Sequence, residues 1–219
     1  MARHFHKELD KIKKMILSLG TVVEERVRWA GQAIEARDSE IAERIIKSDC
    51  EIDDMEVEIE EECLKVMALH QPVAIDLRFL IAVIKINNDL ERIADEAVNI
   101  AERVSTLAKR RADQYFFDYT LMADKVESML KTSLDALVNM DEDRAFRVLV
   151  LDDEVDEIHR QAYRHIRERM KTDTAHIAYL LNLYLISRHL ERIADHATNI
   201  AEEVIYLIEG EIVRHASYE

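Results

Sequence analysis

Residues Leu90–Val104 read LERIADEAVNIAERV, and Leu190–Val204 read LERIADHATNIAEEV; twelve of the fifteen positions are identical at an offset of 100. Leu90, Ile93, Ala97, Ile100 and Val104 recur at three- and four-residue steps, the spacing of one helical face. A duplicated core requires only that those apolar positions return. Here Glu91, Asp95, Asn99 and Glu102 return too, as Glu191, Asp195, Asn199 and Glu202. At about 100° per residue these polar groups form a stripe just beyond the alanine edge of the apolar face. They sit neither in the core nor opposite it, and the small alanines let a neighbouring helix approach on that side.

The same period extends outward through nearly the whole chain. A first helix is expected from about Phe5 to Ala36, and a second, started by Asp38 or Ser39 as N-cap, runs straight to about Leu69. The only proline, Pro72, is placed at the first turn of a third helix, where no amide donor is needed. That helix reaches about Arg110, and the polar stretch from Arg111 to Gln114 is the best boundary. A fourth helix spans about Tyr115 to Met140, and a fifth is capped by Asp141 and ends near Lys171. A sixth, capped by Thr172 or Asp173, ends near Glu209 with Gly210 as C-cap.

The repeat is wider than the opening segment. Ser48–Met55, SDCEIDDM, aligns with Leu151–Ile158, LDDEVDEI, at an offset of 103, so the first copy has the longer link to its last helix. The fold expected is all-α, two tandem three-helix bundles related by internal duplication: residues 1–110 and 111–219.

Composition agrees. The 219 residues include three glycines and one proline, too few for the turns of a strand-rich fold, and 34% of residues are charged. A net charge of −15 argues against binding nucleic acid phosphates and against docking on anionic membranes; it favours cations and basic protein surfaces. The start of the chain has no secretory pattern, and the longest uncharged run, around AYLLNLYLIS, is too short to span a bilayer. Cys50 and Cys63 lie too far apart along one helix to pair, which suits a reducing cytoplasm, and Cys63 reads as core.

A second acidic motif accompanies the first. Asp49 and Asp53 are i, i+4 neighbours, as are Asp152 and Asp156. If the second and third helices of each bundle pack antiparallel, Asp49 and Asp53 meet Glu91 and Asp95, and Asp152 and Asp156 meet Glu191 and Asp195. Like charges at that spacing cost a few tenths of a kcal/mol per pair, and a cation would offset the repulsion. Oxygen ligands suit Mg, Mn, Ca or Fe(III), and Zn less well. The bland alternative is a solvated face paired with Arg92, Arg103, Arg188 and Arg192.

Gln71–Leu80 (QPVAIDLRFL), Asn88–Glu102 (NDLERIADEAVNIAE) and His189–Glu203 (HLERIADHATNIAEE) resemble the PhoU family of phosphate-signalling proteins over nearly the whole chain. The resemblance implies two three-helix bundles whose E/D-xxx-D motifs hold multinuclear iron or zinc clusters, here on Glu91 with Asp95 and Glu191 with Asp195. Asp49 with Asp53 and Asp152 with Asp156 match the same pattern. It further implies a cytoplasmic homodimer without enzymatic activity. Such a protein restrains phosphate uptake and represses the phosphate-starvation response, as an adaptor between the phosphate ABC transporter ATPase and a sensor histidine kinase. Alternatives are a metal- or phosphate-buffering helical protein and a carboxylate-bridged metalloenzyme. The QPVAIDLR stretch is intact only in the first half; its counterpart, TAHIA at Thr174–Ala178, lacks the acid and the arginine, so the halves read as inequivalent partner surfaces. His159 and His196 replace Glu56 and Glu96. His159 falls on the acidic stripe as a candidate additional ligand, and His196 reads as a surface histidine.

Overall fold

In the computed structural model, residues 2–109 and 117–211 are described, and among them all regular structure is helical. The chain begins with α1 (Ala2–Ala36), which buries Ile12, Ile16, Leu19, Val23, Val27 and Ala30 along one face. Next come α2 (Ser39–Lys47) and α3 (Asp49–His70), then α4 (Ala74–Ala108). The second half supplies α5 (Thr120–Asn139), α6 (Glu142–Thr172), a 3₁₀ turn (Thr174–His176) and α7 (Ile177–Glu209). The first bundle packs α1, α2 and α3 around α4; the second packs α5 and α6 against α7. The long repeated helices α4 and α7 then pack on each other, and one apolar core runs through both bundles. The proposed boundary at Arg111–Gln114 lies outside the described residues, as do the predicted end of the third helix at Arg110 and start of the fourth at Tyr115.

Two expectations are corrected by local backbone chemistry. The second helix is not straight to Leu69 but breaks at Ser48. There the serine Oγ donates to the Ile45 carbonyl at 2.9 Å while its own amide reaches the same oxygen at 3.1 Å. The Ser48 backbone (φ −98°, ψ 6°) leaves helical geometry and its amide bonds three residues back, which interrupts the ladder. Pro72 does not begin α4. It follows Gln71, which is left-handed (φ 47°) and closes α3 through its amide to the Met67 carbonyl at 3.1 Å. Proline disfavours right-handed helix in the residue before it and is frequent just after a helix C-cap, so Pro72 is a stop signal. The extended Val73 then leads into α4.

Other termini follow the sequence. The Asp38 carboxylate accepts from the amides of Glu40 (2.7 Å) and Ile41 (3.2 Å), and Asp141 accepts from Arg144 (3.0 Å). Gly210 closes α7 at φ +79°, against the Arg78 guanidinium of α4. The predicted cap at Asp173 introduces the 3₁₀ turn before α7, with its carboxylate 2.9 Å from His176 Nδ1. The longer link in the first copy is Gln71–Val73, where the second copy spends only Asp173 between helices. Cys63 is buried, which pushes its thiol up to about 12, and Cys50 is exposed; neither is bonded to the other.

Candidate functional site

The predicted acidic pairs stand on neighbouring helices, α3 beside α4 and α6 beside α7, and each set is called a groove below. The break at Ser48 puts Asp49 and Asp53 in the opening turns of α3, facing α4. Burial raises the pKa of Asp49, and the charges of Asp53 and Asp95 raise it further. Glu91 is raised by burial, then by Asp95, with Glu56 and Asp53 adding to the effect and Arg92 opposing it. Asp95 is raised by burial and by Asp53, again against Arg92. All four predicted carboxylates of the first bundle are therefore electrostatic neighbours. Arg92 reaches Glu91 Oε2 at 3.3 Å and Asp95 Oδ2 at 3.6 Å, and this is the pairing the solvated-face reading anticipated.

The second groove is the more strained. Asp152 is pushed up to about 7, by burial first and then by Asp195, Asp156, Asp153 and Glu191. Asp195 still reaches solvent but is pushed up to about 6, by burial of its surroundings and then by Glu191 and Asp156. Glu191 is raised by burial and by Asp156, against Arg188 and Arg192. Here the acidic pair sits in mid-helix, because α6 runs unbroken from Glu142 to Thr172.

Gathering carboxylates until they resist ionising leaves an arrangement that a cation would relieve. A second feature fits a cation in the first groove. Asn87 Oδ1, one turn before Glu91, is buried without a hydrogen bond, whereas Glu91 Oε2 has its Arg92 ion pair. The residues present thus fit a metal chemically. They are not preassembled around one: among the described residues, no three carboxylate, imidazole or thiol groups already stand in an arrangement that would hold an ion. A bound cation would have to draw the rotamers together. The acids flank the core rather than fill it, unlike the interior ligands of a di-iron oxidase bundle.

His159 sits beside the second groove. Its Nδ1 is 3.2 Å from Ser187 Oγ and its ring lies against Tyr184, with centroids 5.7 Å apart. Burial lowers its pKa, with Asp156 opposing that shift.

His196 is not a surface histidine. It is half-buried between the bundles, with Nδ1 2.8 Å from Asp89 Oδ1, which also accepts from Asn199 at 3.1 Å. A matching contact joins His189 Nδ1 to the buried Glu96 at 2.6 Å, and Arg192 reaches the other oxygen of Glu96 at 2.8 Å. In repeat numbering the two contacts are mirror images: 89 meets 196, and 189 meets 96. Sequence reasoning missed this constellation, but a signal was present. At both positions the first copy has an acid and the second a histidine. Opposed across an antiparallel helix pair, those substitutions become two reciprocal acid–imidazole contacts. Burial raises the Glu96 pKa, but the His189 hydrogen bond and the Arg192 charge outweigh it and hold the group below its ordinary value.

A family profile described as PhoU domain matches residues 16–104 and again 119–204, one copy in each bundle. The chain belongs to the PhoU family. Within that family it is 40% identical over 209 residues to the phosphate-specific transport system accessory protein PhoU homolog of Aquifex aeolicus, covering 95% of each chain. It is 36% identical over 210 residues to the protein of that name from Clostridium acetobutylicum, covering 95% of this chain and 96% of the relative. The crystal structure of PhoU from Pseudomonas aeruginosa superimposes with a TM-score of 0.91 at 37% identity, over 94% of this chain and all of that one. The PhoU fold of paired three-helix bundles is thereby shown for this chain. Among the described residues, no helix is long and apolar enough to cross a membrane.

Proposed function

We propose that this protein is a cytoplasmic negative regulator of phosphate uptake and of the phosphate-starvation response. It acts as an adaptor between the phosphate ABC transporter ATPase and a sensor histidine kinase. The observation that carries the reading is the family match across both bundles, with relatives named as accessory proteins of phosphate-specific transport and not as enzymes. The acidic face supports it: with a net charge of −15, the protein is suited to basic patches on its partners. Metal clusters, iron or zinc, held by Asp49, Asp53, Glu91 and Asp95 and by Asp152, Asp156, Glu191 and Asp195, would neutralise the grooves and fix the shape of that face. A homodimer is part of the same proposal.

Deleting the gene tests the regulatory role. A phosphate-starvation reporter should become constitutive in phosphate-rich medium; unchanged repression overturns the reading. Pull-downs at high and low phosphate, across a salt series, test the adaptor role. Capture of the ATPase and kinase that weakens as salt rises supports it, and salt-independent capture removes the electrostatic basis.

A further inference from the structure

The outer helices of the two bundles carry opposite charge at equivalent positions. Residues 56–69 of α3 align with residues 159–172 of α6 at the repeat offset of 103. The buried Ile52, Ile59 and Cys63 align with the buried Val155, Ala162 and Ile166, so the two helices share a register. Over that stretch α3 has five glutamates against one lysine, and α6 has four arginines and a lysine against one glutamate.

The reversal reaches the outward face. Val57, Glu61, Leu64 and Ala68 are exposed at i, i+4, i+7 and i+11, one stripe of α3. Their equivalents on α6 are Arg160, Arg164, Arg167 and Lys171, also exposed. Val57 and Leu64 leave 51% and 52% of their surface to solvent, and the exposed Glu58, Glu60 and Glu61 stand beside them. An apolar seam edged by carboxylates is what a row of arginines fits. The methylene stems cover the valine and leucine while the guanidinium tips reach the acids. The α6 bases are paired along their own helix: Arg160 and Arg164 with Glu157 at 3.1 and 2.9 Å, and Lys171 with Glu168 at 2.7 Å. Exposed pairs of this kind add little and exchange readily for others.

Among the described residues the two stripes do not meet within one molecule. α3 packs on α1 and α4, α6 packs on α5 and α7, and the bundles join through α1 with α5 and α4 with α7, so α3 and α6 lie on opposite flanks. A second copy brings such flanks together. We infer that copies of this chain associate head to tail, the α3 flank of one (Val57, Glu61, Leu64) against the α6 flank of the next (Arg160, Arg164, Arg167). The inference rests on the self-association already proposed and assigns its faces. Like flanks repel, since α3 on α3 sets carboxylates together and α6 on α6 sets guanidiniums together. The contact is therefore heterologous: two copies are its first step, and each pair keeps one open flank of either kind for further copies.

The test is sedimentation velocity on the full-length protein in chelator, so that no bridging cation contributes. The mean mass of the parent should rise with concentration, and raising salt from about 50 mM to about 500 mM should weaken association at least about ten-fold. Arg160→Gln/Arg164→Gln/Arg167→Gln spoils one flank and Val57→Gln/Glu61→Gln/Leu64→Gln the other. All six positions are exposed, and circular dichroism verifies folding. Each variant alone should stay monomeric where the parent associates. Their equimolar mixture should form a one-to-one pair that grows no further, because only one intact flank remains on each. Association that survives in either variant, or a mixture that fails to pair, overturns the inference while leaving self-association of the parent intact. A parent that stays monomeric at every concentration overturns the inference together with the homodimer beneath it, and leaves the two flanks to other proteins.

Discussion

Asp152 concentrates the conflict built into the second groove. Its pKa of about 7 lies above the ordinary 3.8, so between those values the folded state binds more protons than the unfolded one. Stability therefore falls as pH rises through that window. Without metal, the melting temperature should decline from about pH 4 to pH 7, and Asp152→Asn should flatten the decline. It should also stabilise the metal-free protein at pH 8 by about 1–2 kcal/mol, a discounted figure because water and salt reach the groove. With a tightly bound cation the sign reverses, because the ion favours the charged groove and the asparagine forfeits that linkage. Thermal melts in chelator and in metal would show both effects; a variant less stable under both conditions would contradict the electrostatic account. These carboxylates were legible in the sequence because they recur at one spacing beside an apolar face. Their tension was not legible, since it depends on how far the facing helix desolvates them.

Helix ends show where local chemistry overrides periodicity. A chain with three glycines must close most of its helices without them, and Arg37, Gln71 and Met140 occupy left-handed positions at the ends of α1, α3 and α5. No sequence rule assigns that conformation to such residues, so the stops were read from the next start signal, Asp38 or Asp141. Where the start signal was Pro72, the reading slipped by two residues, because a proline can follow one helix as readily as it opens another. The break at Ser48 escaped for a related reason: apolar spacing continues across it, and only a local turn of the Ser48 backbone, its amide bonded three residues back to the Ile45 carbonyl, separates the two helices. Asp38 is the clearest single test at this scale. Its carboxylate satisfies two amides, and Asp38→Ala should cost about 1 kcal/mol by urea unfolding, while Asp38→Ser should recover most of it. At the other end, Gly210→Ala should destabilise by about 1 kcal/mol or more, because φ is +79° and the new methyl would meet the Arg78 guanidinium. An unchanged melting curve for Gly210→Ala would mean that the α7 terminus is free to move off α4.

At the scale of the molecule, duplication has become an internal interface. The repeated segments of α4 and α7 cross antiparallel so that each contacts the other through the same positions, as two subunits of a symmetric dimer would. With an acid in one copy and a histidine in the other at both positions, the crossing holds two acid–imidazole contacts where two acids would meet as like charges. The pairing predicts a charge-swap rescue. Asp89→His alone sets two imidazoles against each other, and His196→Asp alone sets two carboxylates; each should cost about 1–2 kcal/mol. The double variant Asp89→His/His196→Asp restores the pair with its direction reversed and should return to within about 0.5 kcal/mol of the parent, the error expected of independent sites. Glu96→His/His189→Glu should be rescued less well, because Glu96 is buried and also holds Arg192, which would then face an imidazole. Since one core spans both bundles, each variant should still unfold in a single transition whose calorimetric and van't Hoff enthalpies agree. Two separated transitions, or additive losses in the Asp89/His196 double variant, would mean that the bundles adjoin without depending on each other.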